Sequence, residues 1–259
     1  MLIVHEGALL SQQALPRWLA SFSTVTGIVV LRETSDRLRA RVRREARRIG
    51  WFRLVDVVLF RIYYRMFLRK KDLEWQAQRL GQLLAQFPAP TEPVPVLHSS
   101  SPNTEEVRHF IRENRPDILI ARCKVLLKEA VFSIPTVGTF VMHPGICPEY
   151  RNSHGCFWAL ANRDLGKVGM TLLRIDEGVD TGPIFGYFEA HYDELRESHV
   201  VIQERVVFDN LQAIGARLVE IAEGKAEPLD KRGRSSAVWG QPWLSRYLSW
   251  KRAARRRRR

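Results

Sequence analysis

Short apolar runs bounded by glycine, proline and polar turns recur along this chain, and stretches of helical spacing separate them. MLIVHEG, STVTGIVVL, VPVLHSS, PDILIARC, TVGTFVM and GMTLLRI read as strands. ALLSQQALPRWLASF has helical spacing interrupted by Pro16, and KDLEWQAQRLGQLLAQF is amphipathic until the proline-rich PAPTEPVP breaks it. SPNTEEVRHFIRENRPD opens like a helix, with Asn103 or Thr104 as cap and acidic residues in its first turn. VVIQERVVFDNLQAIGARLVEIAEG predicts one long closing helix. This alternation predicts an α/β fold, a mainly parallel twisted sheet flanked by helices, whose ligands bind at the carboxyl ends of strands.

The pattern changes over residues 33–91. SDRLRARVRREARRIG predicts a strongly basic helix, and WFRLVDVVLFRIYYRMFLRKK follows as an aromatic, aliphatic stretch carrying Arg53, Asp56, Arg61 and Arg65. A membrane-spanning helix would have to bury those charges and is rejected. The stretch reads as an amphipathic helix packed on the rest of the fold with snorkelling arginines, on a partner subunit, or on an anionic membrane surface. The expected organisation is a catalytic unit over residues 1–225, containing this basic helical insertion, and a basic tail over 226–259.

Candidate chemistry concentrates between His143 and Gly182. His143 ends the run TVGTFVM and precedes a proline, which biases it toward extended backbone at the sheet rim. Asp180 follows GMTLLRI in a turn where Gly178 and Gly182 permit backbone shapes other residues resist. Two strands ending together would bring the imidazole and the carboxylate face to face. A carboxylate fixes the imidazole's tautomer, which suits proton transfer around a carbonyl adduct.

The order and spacing of several pieces resemble the folate-dependent formyltransferases. These pieces are His143-Pro144, Pro148-Glu149-Tyr150-Arg151, Ala159-Leu160, Gly169-Met170-Thr171 and the turn Asp176-Glu177-Gly178-Val179-Asp180-Thr181-Gly182. The resemblance covers roughly residues 92–190, and the first 32 only in pattern. It implies a Rossmann-like formyltransferase fold and a one-carbon transferase that moves a formyl group from 10-formyltetrahydrofolate to the amine of a small-molecule acceptor. It implies His143 and Asp180 as the catalytic pair. Lys124, Val125 and Leu126 would form one wall of the folate pocket, and Ile175, Asp176, Glu177, Gly178 and Val179 the other. Tyr150, Arg151, Asn152, Ser153 and His154 would face the acceptor.

One position departs from the family pattern. Val141 stands where the family has an asparagine whose amide helps hold the oxyanion, and valine cannot donate a hydrogen bond. Losing one such donor costs roughly two to three orders of magnitude in rate. Another donor substitutes, with Asn152, Ser153 and His154 the nearest candidates, or the chemistry becomes hydrolysis of the formyl donor, or the site binds without turnover.

Composition adds boundaries. The formal net charge of +13 lies largely in the insertion and the terminal KRAARRRRR, read as a solvated run that grips phosphates by charge alone. Without interleaved aromatics, a nucleic acid is not expected as a specific substrate. Cys123, Cys147 and Cys156 form no zinc-spaced pair and cannot all be joined, which points to a reducing cytoplasm. Cys147 and Cys156 are read as packing residues rather than nucleophiles. MLIVHEG has neither a basic leader nor a long apolar core, so no secretory signal is expected. The turn His5-Glu6-Gly7-Ala8 lacks both the dinucleotide glycine pattern and a phosphate-loop lysine. No metal is expected: DEGVDTG has glycine at the third ligand position of a calcium loop and Tyr187 where the closing glutamate belongs.

Overall fold

A computed structural model describes residues 1–33, 42, 43 and 45–258. Half of the basic helix expected over 35–50 lies outside the described residues, as does the final Arg259. Seven strands form the main sheet: β1 (Leu2–His5), β2 (Ile28–Leu31), β3 (Val96–Ser99), β4 (Ile118–Arg122), β5 (Gly138–Pro144), β7 (Met170–Arg174) and β8 (Ile184–Phe188). Their order is β3-β2-β1-β4-β5-β7-β8. The first five run parallel, and β7 and β8 add antiparallel to that edge. The chain order reverses between β1 and β4, the crevice where such sheets take ligands.

Alternation along each strand divides the core. Leu2, Val4, Val30, Ile120, Phe140 and Met142 point into the larger cluster. That cluster is covered by α1 (Leu15–Ala20), α6 (Gly155–Ala161), α7 (His199–Phe208) and α8 (Leu211–Ala222). Ile3, Val29, Leu31, Leu119 and Ala121 face the other way, under α4 (Glu105–Asn114) and the short α5 (Glu129–Phe132). Pro16 breaks nothing: it sits in the first turn of α1, where its missing N–H leaves no bond unmade. Thr104 caps α4 by accepting from the Val107 amide. The single closing helix expected over 200–224 is two, α7 and α8, with the Asn210 amide between them bonded to the carbonyls of Glu189 and Val206.

Within the insertion, α2 (Trp51–Tyr63) runs through a π-helical turn (Tyr64–Leu68) into α3 (Arg69–Gln86). Val57, Phe60 and Leu83 are buried, so part of this segment belongs to the core. No helix among the described residues is long and apolar enough to cross a membrane. The residues after 225 are not a tail. β6 (Arg151–Asn152) pairs in parallel with β9 (Val238–Trp239), and α9 (Leu244–Arg257) buries Tyr247, Trp250, Ala253 and Ala254. The run read as solvated is thus half of an amphipathic helix: its alanines and Trp250 face inward and its arginines outward.

Trp250 is fully buried and donates its indole N–H to Glu194. Trp250→Ala is therefore expected to destabilise the protein by about 3–5 kcal/mol in urea unfolding; a loss below about 1 kcal/mol would mean that α9 is not part of the folded unit.

Candidate active site

Because side chains alternate along β5, Val141 and His143 share the face opposite Phe140 and Met142. His143 is buried, and both ring nitrogens are engaged: Nε2 lies 2.8 Å from the carbonyl oxygen of Tyr150, and Nδ1 lies 3.5 Å from Asp180 Oδ2. A carbonyl can only accept, so the Nε2 proton goes to Tyr150 and Nδ1 is the atom that exchanges protons toward Asp180 and the cleft. The close approach of Tyr150 rests on two glycines. A Cβ on Gly155 would lie 2.6 Å from Gly145 Cα and 2.7 Å from the Tyr150 oxygen.

His143 and Asp180 do meet, but not because two strands end together. β7 runs antiparallel to β5, with Arg174 opposite Phe140, so the 175–183 loop leaves the far end of the pair and folds back over the sheet. Gly178 and Gly182 serve that return by lacking a side chain rather than by unusual backbone angles. A Cβ would lie 1.9 Å from Thr181 Oγ1 at the first and 1.8 Å from the Arg174 oxygen at the second. The left-handed residue of the turn is Asp180 itself, at φ 52°. Across from it Asn152 (φ 74°) and His154 (φ 59°) are left-handed too. Asn, Asp and His are the side chains that tolerate this region best, at a cost on the order of 1 kcal/mol each.

The two loops are stitched to each other. Asn152 donates its amide N–H to Asp180 Oδ2 at 2.7 Å, and Arg151 donates to the Val179 carbonyl at 3.0 Å. Asp176 Oδ1 accepts from the Gly178 amide and the Thr181 hydroxyl. Between the 175–183 loop and the end of β4 lies a cleft of about 550 Å³, open mouth included. Val125, Leu126, Ile175, Asp176, Glu177 and Gly178 line it together with Val141 and Asp180. Six of the eight residues expected at the folate pocket therefore converge on one cleft. Lys124 and Val179 do not line it; the Lys124 amide donates to His5 Nε2 and the Val179 carbonyl is taken by Arg151. The cleft has apolar walls and a carboxylate rim, which fits a flat heterocycle with N–H donors on its edge.

The residues expected to face an acceptor are mostly committed elsewhere. Tyr150 is buried, bonds Asp164 through its hydroxyl and stacks on Trp239. The Asn152 side-chain amide donates to the Trp239 carbonyl, and the Ser153 hydroxyl points to Asn152 Oδ1. His154 turns inward against His199, its Nδ1 buried without a partner. Burial, with the charge of Lys124, pushes His154 down to about 4, and burial also pushes His199 well below the usual histidine range. Of the three loop residues expected to replace the missing donor, Asn152 and Ser153 are bonded elsewhere and His154 faces His199. Burial likewise pushes the thiols of Cys147 and Cys156 up, the latter to about 12, so neither is a nucleophile. No group of three or more metal-ligating side chains occurs among the described residues.

The sequence reading missed the segment that supports this loop from behind. Ala237 exchanges backbone bonds with Pro148 and Arg151, and Trp239 lies between Tyr150 and Trp158 and donates to the Glu149 carbonyl. Arg234 pairs with Glu149 at 2.6 Å; against the upward push of burial, its hydrogen bonds hold Glu149 below the usual carboxylate range. Nothing in the spacing of RGRSSAVWG announces a strand partner for residues more than eighty positions earlier.

Comparison with known proteins points one way. The family model described as formyl transferase matches residues 67–218, more than half of the chain. A methionyl-tRNA formyltransferase of Kosmotoga olearia is 37% identical over 92 residues, covering 35% of this chain and 29% of that one. One from Parabacteroides distasonis is 32% identical over 130 residues, covering 49% and 37%. The chain thus spans well under half the length of these curated relatives. Among solved structures, a sugar N-formyltransferase from a Shewanella species has a TM-score of 0.54 at 13% identity, covering 97% of this chain and 86% of that one. A phosphoribosylglycinamide formyltransferase from Anaplasma phagocytophilum has a TM-score of 0.54 at 12% identity, covering 93% and 97%. These structural likenesses establish the fold.

The low-lying histidines set an acid response. Between their ordinary value of 6.5 and about 4, the unfolded chain binds a proton at His154 that the folded protein does not. Stability is therefore lost as pH falls through that window, by up to about 3 kcal/mol for this residue. His154→Asn, which keeps the left-handed backbone, should flatten the decline in unfolding free energy between about pH 7 and pH 4.5; an unchanged slope would show that His154 is not buried neutral.

Proposed function

The chain belongs to the formyl transferase family, and from that premise we propose that it transfers a formyl group from 10-formyltetrahydrofolate to the amine of a small-molecule acceptor. The observation that carries this reading is the geometry of His143, its Nδ1 held 3.5 Å from Asp180 beside a cleft of the expected lining. Val125, Leu126 and Ile175 would hold the donor's heterocycle, with Asp176, Glu177 and the neighbouring backbone meeting its polar edge. When bound, the donor supplies an activated formyl carbon for an amine to attack.

His143 takes the proton of the attacking amine at Nδ1. The cation so formed is stabilised from two sides, by the Tyr150 carbonyl and the Asp180 carboxylate, and it in turn stabilises negative charge growing on the formyl oxygen. Asp180 sets the ring's orientation, and the proton is passed on to the nitrogen of the leaving tetrahydrofolate as its bond to the formyl carbon breaks. The position of Asp180 is itself fixed by the Asn152 amide, so the pair needs little reorganisation during the reaction. Arg151, which reaches across to the 175–183 loop, keeps the cleft closed on that side. Val141 makes the wall beside His143 apolar, so charge stabilisation rests on the imidazole. Three free thiols fit a reducing compartment such as the cytoplasm.

Single-turnover consumption of 10-formyltetrahydrofolate, with and without a panel of amines, tests the reading. Tetrahydrofolate should form only when an amine is present and without matching formate. Formate released without an amine would replace transfer by hydrolysis, and folate binding without any product would leave a binding protein. His143→Ala and Asp180→Asn should each lower turnover at least about a thousandfold while leaving thermal melting intact; near-normal rates in both would sink the mechanism. Val141→Asn should raise the single-turnover rate, by up to about a hundredfold, if the site lacks only an oxyanion donor. A fall in rate would mean that the cleft is built around the valine.

A further inference from the structure

Among the described residues, the insertion leaves one helix face without a partner. Val57 and Phe60 bury one side of α2 against the core. Phe52, Val55, Leu59 and Ile62, spaced three and four apart, lie on the opposite side, and Met66 continues the row through the π-helical turn. Phe52 is 96% exposed and Met66 69%. Of the fourteen large apolar side chains left exposed among the described residues, nine fall between Trp51 and Leu73. Scattered exposed apolar residues are ordinary, whereas a patch concentrated on one helix face marks a surface that something covers.

The second observation is a cleft next to that row, between the π-helical turn and α9. Phe67, Lys71, Arg196, Lys251, Arg252 and Arg255 line it. Its one lining carboxylate, Asp72, is buried and turned onto the Ser198 hydroxyl at 2.7 Å. Lys251 is partly spoken for by the carbonyls of Glu194 and Glu197. Arg196 approaches Asp193 only at 3.9 Å. Five cations therefore converge beside exposed Met66 and Phe67, and Arg61, Arg65, Arg69 and Lys70 add exposed charge along the same elements.

We propose that the outward face of α2, the π-helical turn and this cationic cleft form one docking surface for an anionic phospholipid bilayer. The apolar row enters the boundary of the acyl region and lipid phosphates enter the cleft. Charge complementarity selects this occupant. A second copy of the chain, with a formal net charge of +13, would set the same cations against each other, whereas acidic headgroups neutralise them. The inference stands independently of the formyl-transfer reading, since none of these residues lines the catalytic cleft.

Co-sedimentation of the full chain with vesicles tests it, using pure phosphatidylcholine and an equal mixture with phosphatidylglycerol. Binding should require the anionic lipid and weaken about tenfold or more when salt is raised from roughly 0.1 M to 0.5 M. The pair Phe52→Glu with Ile62→Glu and the pair Arg252→Glu with Arg255→Glu should each lower binding about tenfold or more while melting stays unchanged. Equal binding to neutral vesicles, or full binding by both pairs, would overturn the proposal. So would a dimer in sedimentation velocity that the Phe52 and Ile62 changes dissociate in protein that ignores both vesicles.

Discussion

The site depends on the two acceptors that grip the His143 ring, because each belongs to a different loop and neither loop would hold its shape alone. The Tyr150 carbonyl reaches Nε2 only because Gly145 and Gly155 let the 146–155 loop lie against the end of β5. Asp180 reaches Nδ1 only because the 175–183 loop folds back across the sheet, and the Asn152 amide then ties the two loops together. The circuit closes through a carboxylate that orients an imidazole and is itself oriented by backbone, the kind of support that fixes a catalytic ring's rotation. Its cost is three non-glycine residues with left-handed backbone, all of them at this junction.

On the proposed reading, an apolar Val141 beside His143, where the resemblance implies an amide, changes what the rest of the site must do. Val141 packs toward Cys147, Leu173, Ile184 and Tyr187, so the wall on that side of the buried His143 is apolar. In such surroundings a charge on the imidazole interacts more strongly with its neighbours than it would in water. Losing a neutral donor and strengthening a nearby charge act in opposite directions on the same developing oxyanion. That is why the valine does not by itself mark the site as inactive, and why the intact His143 and Asp180 geometry weighs more than the one substitution.

Much of the fold was legible because parallel strands and their crossover helices impose period and length on the sequence. The six apolar runs each became a strand, and the parallel order of the first five follows from helices placed between them. That His143 meets Asp180, and that six of the eight residues expected at a folate pocket line one cleft, was legible from order and spacing in the resemblance. What escaped was long-range: β8, in a stretch with no assigned pattern, the break at Asn210, and the pairing of β9 with β6. Tyr150 was placed against the acceptor by the resemblance alone; in the fold it is buried and stacks on Trp239, supplied from far downstream. The arginine run at the end looked solvated because charge hides the apolar face formed by Tyr247, Trp250, Ala253 and Ala254.

Three elements outside the family match, α2, β9 and α9, converge on one side of the site. The match spans 67–218, so α2 lies before it and β9 and α9 lie after it. These elements bind each other through Asp56 to Ser245, Arg61 to Gln241, and Arg53 over the Trp243 ring. They also meet the 146–155 loop: β9 pairs with β6, Trp239 stacks on Tyr150, and Phe60 packs on His199, which packs on His154. The cleft beside Asp180, by contrast, is lined wholly by residues inside the match. A common donor with varied acceptors would produce such a division, with the shared segment conserving the chemistry and the added helices shaping the wall an amine must pass. On the proposed reading, residues 45–66 and 229–250 would therefore distinguish one acceptor from another, while the His143 pair would serve any acceptor alike.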